Sequence, residues 1–368
     1  MFLKKLSIIN FKNFGQAELS FDEESNCFAG DNGAGKTNLL DAIYYLSFCK
    51  SYFNPVDSQN IRYDAPLAMI QGDFILDGRE EKISCGLKRN QRKIFRRNEN
   101  EYERLADHIG IFPSVMISPY DIELITGGSE ERRKLIDSII SQYDRIYLDD
   151  LLNYNKALTQ RNALLRQFSR QNYFDQAALE IWDETLLTIG KKLFEKRQSF
   201  ITEFTPLFNS HYRFVSGERE EVAVVYESHH HLSDFEEHFR NALQRDRILE
   251  YTTVGIHKDD LIFTMDGHPV KRFSSQGQQK SFLVALKLAQ FDFIKKVKGL
   301  FPLLLLDDIF DKLDDFRMNR LMELVSHANF GQIFITDTHP ERVENIFKRI
   351  NKPVRIFSIV NGTVENKL

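Results

Sequence analysis

Apolar and polar residues alternate over residues 2–9 (FLKKLSII), the two-residue period of a half-buried strand, and a second strand is predicted near 17–21. A short stretch at 26–29 reads as the end of a buried strand. Residues 38–48 (NLLDAIYYLSF) then place Leu39, Ile43 and Leu46 on one helical face. Residues 67–76 and 81–87 return to strand patterning. From Glu130 the period becomes helical. One helix covers 130–142, and a longer one covers 148–170 with Leu151, Leu152, Leu158 and Leu165 near one face. A break at 171–173 precedes a second long helix over 175–204. Two helices of roughly 25–30 residues each reach about 40 Å and should pair antiparallel across the short connection. A strand at 221–226, a polar amphipathic helix at 232–249 and a strand at 261–265 follow. The helix at 281–297 sets Leu283, Leu286, Ala289 and Phe293 at core spacing, and apolar strands at 301–306 and 332–336 close the pattern. The two ends of the chain therefore read as α/β and the middle as a helical insertion. The expected divisions are 1–127, 128–250 and 251–368.

A chain of 368 residues is long enough for two units with cores of their own. Its formal charge of −4 gives no global attraction to nucleic acid, so any DNA contact must come from local basic patches. The most concentrated patch is 88–97 (KRNQRKIFRR), where Lys88, Arg89, Arg92, Lys93, Arg96 and Arg97 stand without an acid among them. It is predicted to form a hairpin with turns near 90–91 and 98–100. Two readings stay open for it: contact with phosphate backbone, or a solvated hairpin whose charges discourage edge pairing. Lys156, Arg161, Arg166 and Arg170 along the first long helix read first as a solvated face, with DNA contact as the alternative. Cys27, Cys49 and Cys85 have neither metal-like nor disulfide-like spacing, which points to a reducing, cytoplasmic setting. No apolar run approaches a membrane span, and the first ten residues are too short for a signal segment, so no membrane partner is expected.

The chemistry is concentrated at Gly30, Asp31, Asn32, Gly33, Ala34, Gly35, Lys36 and Thr37 (GDNGAGKT), which fit G-x-x-x-x-G-K-[ST]. Glycines allow backbone N–H groups to turn inward around phosphates, Lys36 adds a charge near the β- and γ-phosphates, and Thr37 offers a hydroxyl to Mg²⁺. The buried strand before the loop and the helix after it supply the context this motif needs. ATP with Mg²⁺ is therefore the expected ligand. At the other end of the chain, 301–308 (FPLLLLDD) is an apolar strand ending in two carboxylates, the form of a Walker B element. Asp307 is the candidate for the Mg²⁺ shell, and Asp308 for the base that orients water. Between them, Ser275, Gln276, Gly277 and Gln278 resemble the S-G-G-Q core of the ABC ATPase signature, with Gln276 in place of the first glycine. In ABC proteins that motif meets the γ-phosphate held by a partner subunit.

Spaced segments then carry a closer resemblance. Ser118-Pro119-Tyr120-Asp121, the run from Gly127 to Arg133, Tyr154 with Gln160-Arg161-Asn162, Gly255 to Leu261 (GIHKDDL), and Ser275 to Gln279 with Ala285 to Ala289 occur in the order found in the RecF family, relatives of the SMC-type ATPases. The resemblance implies an α/β, ABC-ATPase-like head, a phosphate-loop NTPase with a mixed sheet, interrupted by a mainly helical lobe with a short antiparallel helical arm. It implies an ATP-dependent homodimer that clamps DNA at single-strand/double-strand junctions and hydrolyses ATP slowly to release it. RecR and RecO would be partners in loading RecA, in recombinational repair, replication and the SOS response. Departures include Tyr120 for an acid, Ile256 for a proline and Lys258 for an arginine. The loop after Walker B usually reads S-E-L-D in this family but is Asp311-Lys312-Leu313-Asp314 here, so the contact made by Asp311, Leu313 and Asp314 across a dimer is in question. The switch position falls on Asp337 or His339. Competing readings are an ATPase serving another DNA-processing complex, for example with a separate nuclease, and a transporter ATPase subunit.

Overall fold

A computed structural model describes the chain except residues 218, 310–319, 321–329 and 366–368. The chain divides into two compact units. One comprises Met1–Asp121, His211–Glu218 and Ser275–Leu368, and the other Ile122–Ser210 and Arg219–Ser274. The helical unit thus runs on to Ser274, past the division at 250 expected from the sequence.

Among the described residues the first unit holds two six-stranded sheets. One is antiparallel, in the order Phe14–Ser20, Phe2–Phe11, Leu67–Leu76, Arg79–Lys88, Ile94–Arg97, Asn100–Glu101. The other runs Thr363–Glu365, Arg355–Val360, Ser25–Ala29, Ile333–Asp337, Leu303–Leu306, Ser114–Ile117, and is parallel except at its first strand. Its central strands are buried along their whole length, as parallel strands covered on both faces are, which explains the unbroken apolar run of Leu303–Leu306. The helix Lys36–Phe48 touches strands of both sheets, and one continuous core contains Leu6, Phe11, Leu40, Tyr45, Ile70, Phe74, Leu305 and Phe334. Phe21 packs edge-on to Phe334 at 4.8 Å and to Phe357 at 5.6 Å, joining the two sheets through aromatic contacts.

The second unit has a three-stranded sheet, ordered His268–Pro269, Asp260–Met265, Val222–Glu227, and the long helices. Arg145–Gln171 spans 27 residues and is capped by the Asp144 side chain, which accepts a hydrogen bond from the Tyr147 N–H. It ends where Asn172 turns left-handed (φ 49°). The following helix, Gln176–Ser216, is antiparallel to it, since Asp144 meets Lys196, Tyr147 meets Arg197 and Arg161 meets Asp183.

Several elements differ from the sequence expectation. The second long helix was expected to stop at 204, before Pro206, but it continues to Ser216. Proline costs it a backbone donor, and the buried Phe208, Tyr212 and Val215 hold the last turns in place. The helix expected at 232–249 is broken into Phe235–Asn241 and Leu243–Leu249. The signature helix starts at Gln276, five residues before the expected 281. The strands Ser114–Ile117 and Arg355–Val360 and the helix Pro340–Arg349 were not foreseen; the first of these strands is only four residues long and lacks alternation.

Both units bury neutral histidines. In the first, His108 is enclosed by Phe95, Tyr102 and Phe112, with Nε2 2.6 Å from the Leu46 carbonyl oxygen. In the second, His257 lies between the Tyr154 hydroxyl and the Thr252 carbonyl. Burial lowers both imidazoles to about 4, whereas an unfolded histidine titrates near about 6.5. Between those values the unfolded chain binds more protons, so their contribution to stability is complete above pH ~6.5 and is lost as pH falls toward about 4. NMR titration of the two imidazoles should give midpoints near about 4, and the urea midpoint should fall across the same window. Midpoints near 6.5 would mean that the two side chains are not enclosed.

Candidate nucleotide site

The loop at 30–37 leaves the carboxyl end of the central strand Ser25–Ala29 and enters the helix Lys36–Phe48. Two features of the backbone require glycine. A Cβ on Gly30 would lie 2.2 Å from the Ile359 carbonyl oxygen, and Gly35 has φ +118° with Asn13 atoms 2.6 Å from a Cβ. Gly35 is also the helix N-cap and provides no side-chain acceptor, so the first-turn N–H groups have no side chain to cap them. Asp31, Asn32 and Gly33 form the exposed tip of the loop. Lys36 is buried, and its ammonium donates to the carbonyl oxygens of Gly30 (2.8 Å) and Asp31 (3.0 Å), both within the loop. Asn13, which motif reading missed, braces the loop from outside. Its Nδ2 donates to the Ala34 carbonyl at 3.0 Å while its Oδ1 accepts from Asn38 Nδ2 at 2.8 Å.

The two motifs from opposite ends of the chain meet here. Thr37 Oγ1 donates to Asp307 Oδ1 at 2.8 Å. Thr336 Oγ1 reaches the same oxygen at 2.9 Å, and Ser118 Oγ lies 3.4 Å from Asp307 Oδ2. Burial raises the Asp307 carboxyl above the usual carboxylate range, opposed by the three hydroxyls and by the Lys36 charge. Asp308 follows in a left-handed conformation (φ 44°) that its short polar side chain tolerates, and its N–H donates to Thr336 Oγ1 at 2.8 Å. A hydroxyl beside a carboxylate is an oxygen donor set that fits a hard cation such as Mg²⁺. Among the described residues no three His, Cys, Asp or Glu side chains gather to hold a metal, so phosphate and water oxygens would complete any such shell.

Ser275 is the N-cap of the helix Gln276–Lys298. Its side chain accepts from the Gln278 N–H at 3.2 Å, and the Gln278 side chain accepts from the Ser275 N–H at 2.7 Å, a complete capping box. Ser275 and Gln276 are exposed; Gly277 lies between them and Gln278 in the first turn. Further along the helix, Lys287 pairs with Asp121 at 2.7 Å, with both side chains buried. Asp121 also accepts from the Tyr52 hydroxyl and from the Ser118 N–H. The segment 118–121 therefore connects the signature helix to Asp307 through Ser118. Tyr120, which departs from the family pattern, is exposed against Phe53.

The remaining predicted positions are placed differently from one another. Asp337 is buried and engaged by Arg342 at 2.8 Å and by the His339 N–H at 2.6 Å. His339 stands at the N-cap position of the helix Pro340–Arg349 without a side-chain cap bond, its ring exposed beside Thr338. Asp311, Leu313 and Asp314 lie outside the described residues. Within the basic hairpin, Lys93 is not a free surface charge, since it donates to the Cys49 carbonyl (2.7 Å) and Asp57 (3.0 Å) beneath the sheet. Arg97 is held by both carboxylate oxygens of Glu81, and Arg89 donates to the backbone carbonyls of Ser58, Arg62, Tyr63 and Ala65. Lys88, Arg92 and Arg96 are exposed, Arg92 donating to the Glu103 carbonyl and Arg96 lying 3.8 Å from Glu101.

Known proteins resemble this chain along its whole length. The family described as RecF/RecN/SMC N terminal domain matches residues 2–365. The DNA replication and repair protein RecF of Phocaeicola vulgatus is 52% identical over 369 residues, spanning 100% of this chain and 99% of that one. RecF of Flavobacterium johnsoniae is 50% identical, with 98% and 100% covered. This chain belongs to the RecF family. A solved structure of the recombination mediator protein RecF with ATP superposes with a TM-score of 0.89 at 29% identity, covering 100% of this chain and 98% of that one. The Smc head domain of Pyrococcus furiosus, at 18% identity and TM-score 0.59, shares the fold.

Several RecF-family segments lie in the second unit, where they bond to one another. Arg161, of the Gln-Arg-Asn segment, is 1% exposed and pairs with Asp183 (2.5 Å) and Asp246 (2.6 Å), so it is no solvated helix charge. Asn162 accepts from Thr252, and Tyr154 bonds His257 of the GIHKDDL segment. Asp259 and Asp260 of that segment hold Arg197 (2.9 Å) and Arg132 (2.6 Å). Arg197 also engages Asp137 and the Ile256 carbonyl. Removing one partner of such a buried network leaves uncompensated charge. Arg197→Ala should therefore lower unfolding free energy by about 3–5 kcal/mol in urea titrations. Arg240→Ala, which breaks exposed pairs with Glu184 and Glu236, should cost under about 1 kcal/mol. Equal losses would show that the Arg197 network is not stabilising.

Proposed function

We propose that this chain is an ATP-driven DNA clamp of recombinational repair, with weak, DNA-dependent ATPase activity used as a switch. The observation that carries the reading is the closure of Thr37 onto Asp307 beside a helix N-terminus that no side chain caps, together with the exposed cap at Ser275 on the same unit. In support, the relatives that are about half identical over their full length are DNA replication and repair proteins, and the structural relative with ATP belongs to the RecFOR pathway.

In this reading the N–H groups of residues 30–37 receive the phosphates of ATP, and Lys36 exchanges its loop carbonyls for phosphate oxygens. Thr37 and Asp307 would hold Mg²⁺. When bound, that ion neutralises charge developing on the β- and γ-phosphate oxygens. Asp308 orients the attacking water and takes up its proton. Ser275, Gln276, Gly277 and Gln278 recognise the γ-phosphate held by a second copy, so ATP joins two chains and hydrolysis releases them. The energy goes into DNA residence time, because only a state that depends on the γ-phosphate is shifted by its loss. Lys88, Arg92 and Arg96 are the hairpin positions left facing solvent for phosphate backbone. DNA at single-strand/double-strand junctions is the substrate surface. RecR is the direct partner, with RecO and RecA in the same pathway and the SOS response downstream. Asp337 or His339 reports the γ-phosphate at the switch position.

Sedimentation with ATP, ADP or no nucleotide tests the clamp. Wild type should dimerise with ATP alone and bind gapped duplex more tightly in that state. Lys36→Ala should remain monomeric, and Ser275→Arg should bind ATP without dimerising. A Lys36→Ala dimer in ATP, or DNA binding indifferent to ATP, would overturn the reading.

Asp308→Asn removes the base but keeps the size of the side chain. The ATP-bound dimer should persist, with turnover reduced by about 10²-fold or more. Unchanged turnover would remove Asp308 from that role.

A further inference from the structure

Thr336 lies fully buried in the strand Ile333–Asp337, between the strand that carries the phosphate loop and the strand that carries the acidic pair. A threonine hydroxyl has one proton to give and two lone pairs to receive. Here both capacities point at the acidic pair. The Asp308 N–H donates to Thr336 Oγ1 at 2.8 Å, Thr336 Oγ1 donates to Asp307 Oδ1 at 2.9 Å, and Asp308 Oδ1 lies 3.5 Å away. Asp307 Oδ1 is also the oxygen that Thr37 reaches. The left-handed backbone at Asp308 begins one residue past the strand-end N–H of Asp307, which is bonded to the Ile117 carbonyl. The hydroxyl is thus a bracket on the corner between the two carboxylates.

We propose that Thr336 is a positioning residue for ATP hydrolysis, its hydroxyl holding Asp307 toward Thr37 and fixing the turn that aims Asp308. This inference rests on the ATPase reading given above. A β-branched side chain suits a buried strand for packing alone, and valine would satisfy that need equally well, so the hydroxyl is the atom on which the two explanations differ. In Thr336→Val the Asp308 N–H and the Asp307 carboxylate each lose a partner while the strand keeps its shape.

Steady-state ATPase assays of wild type, Thr336→Val, Thr336→Ser and Lys36→Ala decide the matter, with circular dichroism confirming the folded state. Thr336→Val should lower kcat by about 10²-fold, the order expected for displaced reacting groups, with KM for ATP within about threefold of wild type. Thr336→Ser should stay within about threefold in kcat, since it keeps the hydroxyl. Binding of a fluorescent ATP analogue, titrated with Mg²⁺, gives a second readout that needs no turnover: Thr336→Val should require more Mg²⁺ for the same affinity. A Thr336→Val enzyme with wild-type kcat and Mg²⁺ dependence, or Ser and Val variants equally impaired, would overturn the proposal. Should the valine variant fail to fold, Thr336→Ala against Thr336→Ser makes the same comparison. Hydrolysis by Lys36→Ala would sink the underlying ATPase reading instead, which separates the two failures.

Discussion

The hydrogen bond from Thr37 to Asp307 joins residues 270 positions apart, and the arrangement of the first unit follows from the need to make it. The parallel sheet places Ser25–Ala29 and Leu303–Leu306 on either side of Ile333–Asp337, so the phosphate loop and the acidic pair leave the same edge. An apolar strand is what allows a carboxylate to be delivered there at all. Leu303 to Leu306 are buried on both faces, and the backbone bonds of the ladder, not the side chains, fix how far the strand extends. The cost of taking Asp307 out of water is then offset by hydroxyls from three different strand ends and helix starts: Thr37, Thr336 and Ser118. A carboxylate so placed is poorly solvated and well aimed, the condition in which a bound cation compensates it best.

The second unit solves a different problem with the same materials. Two long helices must stay aligned, and leucine spacing alone permits them to slide. Arg161 and Arg197, each 1–2% exposed, fix the register, because a guanidinium fork satisfies its donors in only one position along the pair. Each arginine takes two carboxylates: Asp183 and Asp246 for one, Asp137 and Asp259 for the other. Two anions on one cation would leave net buried charge. Burial holds Asp183 and Asp259 above the usual carboxylate range against the pull of the arginines. The residues by which the sequence resembled its family are in large part this scaffold, not the nucleotide site.

That distinction explains what could be read from the sequence. The phosphate loop was legible because its chemistry imposes fixed spacing over eight consecutive positions, and the Walker B strand because burial on both faces leaves an unbroken apolar run. The helix pair was legible from its period. Asn13 and Thr336 were not, since they act through long-range hydrogen bonds that no local pattern records; Ser118 was marked by family resemblance, but its approach to Asp307 was not. Gln332 is a similar case, bonding the Leu3 backbone at both N–H and carbonyl across 329 positions. Charge patterning misled in the hairpin for the same reason. Lys93 and Arg97 look alike to Lys88 in sequence, yet Lys93 is paired with Asp57 and Arg97 with Glu81 on the neighbouring strand. The second long helix runs past its expected end and through Pro206, because packing of the residues beyond outweighs a local propensity.

The signature helix shows why the two halves of the proposed dimer site need not be separate devices. Its first turn is already satisfied by a capping box, so the helix is formed before any anion arrives and loses little freedom on meeting one. Its interior is anchored by Lys287 to Asp121, in the short turn whose Ser118 lies against Asp307. In the proposed clamp, the cap that a partner's γ-phosphate meets is therefore braced by the carboxylate that serves this chain's own nucleotide. Two such chains, each reading the other's phosphate with a helix tied to its own site, are the symmetric arrangement that the proposed clamp requires.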